Sequence, residues 1–177
     1  MDKLELKAVD LSFVKESNAA VQQYVEFIVN GKPLSTQIEK HFKLEKPLFS
    51  KFTSVLGTME LTNFDRLKVH QLLCHTTHQK DVDELFPAKQ FDQEEILTEL
   101  KLDKVLIYCC AECADYRCSG VFTIITKTPK SFKWSIENPI FDAKDLINET
   151  PTLDFEFDQE AYHKTFKDYV LGLDDDE

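Results

Sequence analysis

The chain has 177 residues, with 32 acidic and 21 basic side chains, a formal net charge of -11 and 42% hydrophobic residues that include 14 Phe. Only 4 Gly and 6 Pro are present, which excludes a collagen-like or low-complexity chain, and the aliphatic and aromatic content excludes a disordered one. A chain of this size buries roughly 70% of the surface its unfolded form exposes, so one globular domain is expected over residues 1–173, with an acidic tail at 174–177.

From the N-terminus, Lys3 to Val14 alternates apolar and polar residues. Leu4, Leu6 and Ala8 fall on one face, and Leu11 and Phe13 continue after a one-residue slip, which reads as a strand with a bulge. Gln22 to Val29 is rich in β-branched and aromatic residues and ends in Asn30-Gly31, the strongest hairpin turn signal in the chain. Ser35 reads as the N-cap of a short helix, and Pro47 separates that helix from an apolar stretch around Phe49, Phe52, Val55 and Leu56. Asn63 and Asp92 are placed to cap helices that run to Leu73 and Leu100. Lys104–Cys109, Gly120–Thr126 and Ser131–Ile136 read as three strands of a meander.

After a polar loop with Asn138, Pro139 and Pro151, the residues Leu153, Phe155 and Phe157 alternate with acids as a half-buried strand does. Asp158 then caps a final helix, with Glu160 at its positive end. Tyr162, Phe166, Tyr169 and Leu173 recur at helical spacing, and Gly172 is placed to stop the helix. Strands and helices mix without βαβ alternation. The expected class is therefore α+β: a single antiparallel-sheet domain with a few packed helices and a C-terminal amphipathic helix.

The negative charge is unevenly spread. Residues 137–177 hold 13 of the acids and 3 of the bases, which accounts for -10 of the net charge. Such a field repels nucleic acid and speeds association with a basic protein, although an acidic surface also serves plain solubility. Asp154, Glu156, Asp158 and Glu160 are the candidate partner-binding residues.

Four of the five cysteines lie between Cys109 and Cys118. An odd count, crowded in this way, is no disulfide framework, and Met1 to Lys15 shows neither the basic start nor the apolar run of a signal peptide. No stretch has the ~18 apolar residues of a membrane span. A cytoplasmic protein is expected. Cys110 and Cys113 form C-x-x-C, and Cys118 can bring a third thiolate from a returning strand, so these three are the candidate zinc ligands. Cys109, Cys74, His75 and His78 are all open as the fourth. Cys109 is awkward, because neighbouring strand residues point to opposite faces. Half a zinc ribbon is also what buried structural cysteines look like.

Val105 to Val121, with Cys110, Glu112, Cys113, Asp115, Cys118 and Gly120, resembles a family of small uncharacterised bacterial proteins that carry a C-x-E-C-x-D knuckle between two strands. The similarity extends to Trp134 with Glu137-Asn138-Pro139, to the Phe155, Phe157, Asp158, Tyr162 ending and to Asn30-Gly31 with Pro33-Leu34. It covers about two-thirds of the chain. Ala114 stands where the pattern has Gly, and Arg117 and Ser119 also depart from it. The resemblance implies a fold boundary and no activity.

The remaining clusters carry little chemistry. His70, His75 and His78 lack the H-E-x-x-H arrangement, four scattered glycines build no phosphate loop, and no basic stripe with interleaved aromatics exists for nucleic acid. Trp134 reads as core. The leading expectation is a non-enzymatic bacterial binding protein, of the immunity or antitoxin kind, that neutralises a basic, nuclease-type toxin. The alternative is a structural zinc-knuckle protein.

Overall fold

The computed structural model of the protein describes residues 1–10, 23–50, 52–56, 105–110, 120–139 and 151–174. Strand β1 (Leu4–Asp10) pairs antiparallel with β2 (Gln23–Val29), which pairs with the short β3 (Lys32–Pro33). Helix α1 (Leu34–His41) follows, then a 3-10 turn at Leu48–Ser50 and strand β4 (Phe52–Ser54). Strands β5 (Val105–Cys110), β6 (Gly120–Lys127), β7 (Ser131–Ile136) and β8 (Leu153–Asp158) lead into helix α2 (Gln159–Asp174). The α+β class holds. The strands divide between two antiparallel sheets, ordered β1-β2-β3 and β4-β5-β6-β7-β8.

Local chemistry explains the turns. Asn30 and Gly31 both have positive φ (55° and 77°) between the paired residues Val29 and Lys32, the geometry of a two-residue hairpin whose twist matches its strands. Asn30 is further held by its side chain, which accepts from the Lys3 N–H at 2.9 Å and donates to the Asp2 carboxylate at 2.8 Å. Helix α1 starts earlier than the sequence suggests. Pro33 occupies the N-cap with extended ψ (131°), and Ser35 is buried inside the first turn rather than capping it. Proline's fixed φ suits a helix entry and removes one donor that would otherwise need a partner.

Helix α2 also runs further than expected, through Gly172 to Asp174. A glycine near a helix end costs only about 1 kcal/mol relative to alanine and does not by itself stop the helix. The bulge expected in the first strand, the helices expected after Asn63 and Asp92, and the His70, His75 and His78 cluster with Cys74 all lie outside the described residues.

The core lies between the two sheets and α2. The inner face of the larger sheet carries Trp134, Phe132, Phe157, Ile136 and Val121, all essentially inaccessible to solvent. A register shift between Leu106 and Tyr108 lets the consecutive residues Ile107 and Tyr108 both be buried. From the smaller sheet, Phe27 meets Tyr108 and Trp134 edge-on, with centroids 5.9 and 5.6 Å away. From α2, Tyr162 stacks on Phe132 at 4.3 Å and Phe166 lies beside it, as their helical spacing indicates. The sheets also meet at their margins. Asp2 forms a parallel bridge with Phe157 on β8, and the Ser54 hydroxyl on β4 donates to the Val25 carbonyl on β2.

Trp134, the single tryptophan, is fully buried and donates its indole N–H to the Tyr162 hydroxyl at 3.0 Å. Buried indole N–H groups usually find such a partner, because leaving one unsatisfied costs about 1–3 kcal/mol. Tyr162→Phe keeps the ring stacking and removes the acceptor. Urea unfolding followed by Trp134 fluorescence should show a loss of about 1–3 kcal/mol, and an unchanged midpoint would contradict this role.

Candidate functional site

Among the described residues, two groups of chemistry-bearing side chains emerge, one on the surface and one in the core. The surface group is built by β8. Strand alternation sends Leu153, Phe155 and Phe157 inward and Asp154, Glu156 and Asp158 outward, while Glu160 follows exposed in the first turn of α2. The fold therefore puts three of the four predicted partner-binding acids on one strand face, with Glu160 exposed just beyond the end of the strand. Successive outward carboxylates on a strand are about 7 Å apart, within a Debye length at physiological salt, so their fields add.

The four acids are not equivalent. Asp158 is the N-cap of α2 and accepts from the Ala161 N–H at 2.9 Å. Glu156 accepts from the Ser131 hydroxyl at 2.8 Å and lies 3.9 Å from Lys133 across the strand pair. Both ends of that ion pair are about half exposed, so it adds little stability. Asp154 is exposed and, among the described residues, accepts from the Thr152 hydroxyl alone, at 2.8 Å. Glu160 sits where the helix dipole favours an anion. Asp154 and Glu160 are thus the acids least committed to the fold.

A fifth carboxylate joins them from the other end of the chain. Asp2 donates its N–H to the Glu156 carbonyl and accepts the Glu156 N–H on Oδ2, both at 2.8 Å, while Oδ1 takes the Asn30 amide. Nothing in the sequence marks this contact, because the partners are 154 residues apart.

The core group centres on Glu26, only 1% exposed on β2. Its Oε1 accepts the Phe27 N–H at 2.8 Å and a short hydrogen bond from the Tyr108 hydroxyl on β5. Ser54, equally buried, is the cross-strand partner of Tyr108. A buried carboxyl is tolerated only with such donors. Enclosed among core side chains, these groups can clamp β2 to β4 and β5, but they offer no surface to a substrate. The sequence does contain a faint signal for them, a lone carboxylate in the otherwise apolar run Tyr24–Val29.

Of the predicted zinc ligands, Cys110 ends β5 opposite Phe52 on β4, and Cys113 and Cys118 lie outside the described residues. Antiparallel pairing of Cys109 with Gly120 brings the two ends of the connecting segment together. Among the described residues, no group of three His, Cys, Asp or Glu side chains is placed to hold a metal ion, and no helix is long and apolar enough to cross a membrane. Comparison with protein-family models, curated proteins and solved structures finds no match.

These assignments rank three substitutions. Tyr108→Phe should cost about 1–3 kcal/mol by removing a donor from a buried carboxyl. Asp158→Ala should cost about 1 kcal/mol as a lost N-cap, and Asp154→Ala should stay within about 0.5 kcal/mol. Chemical denaturation of the three variants checks the order. A destabilised Asp154→Ala beside an unaffected Tyr108→Phe would overturn it.

Proposed function

We propose that this is a non-enzymatic binding protein whose acidic β8 row, continued by Glu160 on α2, receives a basic protein partner. The observation that carries this reading is the alignment of Asp154, Glu156 and Asp158 on one outward face of a strand at the margin of its sheet. A row of carboxylates at this spacing offers a basic surface much the same pattern of charge as a nucleic-acid backbone. It would suit an immunity or antitoxin protein that occupies the phosphate-binding face of a nuclease-type toxin. Long-range attraction of this kind acts mainly on the association rate and weakens with salt.

A second reading has its own support. The β5–β6 pairing gathers Cys110 and the flanks of residues 111–119 at one end of the sheet, as a zinc knuckle using Cys110, Cys113 and Cys118 requires. In that case the metal would contribute directly to folding. Purified protein would hold one zinc ion that disappears, together with thermal stability, in Cys110→Ser and Cys113→Ser. An unchanged melting curve in both variants would refute it.

For the binding reading, Asp154→Lys and Glu160→Lys are the cleanest charge reversals, because Asp158 also caps a helix and Glu156 also holds Ser131. With the basic partner that co-purifies from the host, each reversal should slow association several-fold at low salt and flatten its salt dependence, with a smaller effect on dissociation. Association kinetics unchanged in the double variant would remove β8 as the binding surface.

A further inference from the structure

We propose that the outer face of the five-stranded sheet is a docking surface for a basic protein that presents an apolar anchor flanked by lysine or arginine. This rests on the binding reading above and specifies the partner's contact chemistry. Leu106 on β5 lies opposite Phe122 on β6, and Ile124 follows two residues later on the same face. All three are half-buried, whereas Val121, Thr123 and Ile125 on the other face of β6 are buried. Gly120 shows how closely the strip is gathered. A Cβ placed there would lie 2.5 Å from Leu106 Cδ1 and 3.4 Å from the Phe122 ring, so the two side chains converge over the glycine.

Partly buried apolar residues elsewhere in this fold support the core: Leu6, Leu44, Val55, Leu153 and Tyr169 pack against it. Among the described residues, Leu106, Phe122 and Ile124 do not belong to that group. They form an apolar strip on the face turned away from the core.

Charge decides which partner suits the strip. Ile124 pairs with Ser135, and Ser135 pairs with Asp154 on β8. The next row runs Thr126, Lys133, Glu156, and Asp158 follows along β8. Two strand spacings, about 10 Å, separate the apolar strip from the carboxylates. The face thus has an apolar strip on β5 and β6 and, on its β8 side, three acids with Lys133 between. An apolar strip alone would accept any hydrophobic surface; the acidic border selects one with a cationic flank. A central anchor within a polar rim is the arrangement in which a few residues supply most of the binding energy.

The test uses the full chain and two dye-labelled hexapeptides of equal charge. One carries four lysines around a Trp-Leu centre, the other four lysines around a Ser-Ser centre. Anisotropy titration should show the Trp-Leu peptide binding about tenfold tighter. Phe122→Thr and Ile124→Thr, both substituting a good strand former, should abolish that advantage while leaving Ser-Ser peptide binding unchanged. Circular dichroism confirms that each variant is folded, and Ile124→Thr alone suffices if Phe122→Thr is not. Equal binding of the two peptides, or an advantage that survives in the folded variants, overturns the apolar anchor and leaves the acidic row intact. Binding of both peptides unaffected by Asp154→Lys overturns the acidic row, and with it the cationic flank of the partner.

Discussion

The carboxyl of Glu26 is the constraint on which this fold turns. A buried carboxyl is costly unless donors meet it, and one of its donors, the Tyr108 hydroxyl, comes from the other sheet. The Tyr108 hydroxyl thus ties β2 to β5 in the observed register. The Ser54 hydroxyl on the Val25 carbonyl imposes the same alignment one strand away, and the Phe27 ring fits between Tyr108 and Trp134 only when that alignment is met. Polar pairing sets the position, and apolar burial supplies most of the energy.

Once the inner face of the larger sheet is committed to the core, its outer face is left for other work. The alternation that buries Phe155 and Phe157 is the same alternation that turns Asp154, Glu156 and Asp158 outward. The acids then divide between two duties. Asp158 caps α2, and Glu156 holds Ser131 while its backbone receives Asp2. Asp154 and Glu160 carry charge with little structural commitment. Charged side chains along a marginal strand also discourage edge-to-edge pairing with other chains.

Much of this was legible in the sequence where local rules dominate. Asn30-Gly31 was legible as a turn, because Asn and Gly both accept positive φ at low cost. The alternation in Leu153–Asp158 and the helical spacing of Tyr162 and Phe166 placed those residues on the sides they occupy. Ser35 misled because a good capping residue beside Pro33 is overruled by proline's own fitness for a helix entry. Gly172 misled because a glycine in the last turn weakens a helix without ending it. The contacts between distant segments were not legible. Asp2 with Glu156, Ser54 with Val25 and Glu26 with Tyr108 each join residues whose separation leaves no periodic trace, and the division into two sheets depends on such contacts. The acidic row was legible from the same alternation, but its neighbours across the sheet, Ser135, Lys133 and Ser131, needed the strand register.

Native mass spectrometry of the protein drawn gently from its host tests the acidic face most directly. The expected result is a basic protein bound at fixed stoichiometry and released as salt is raised. A bare monomer, or a monomer heavier by one zinc ion with no protein attached, would contradict it.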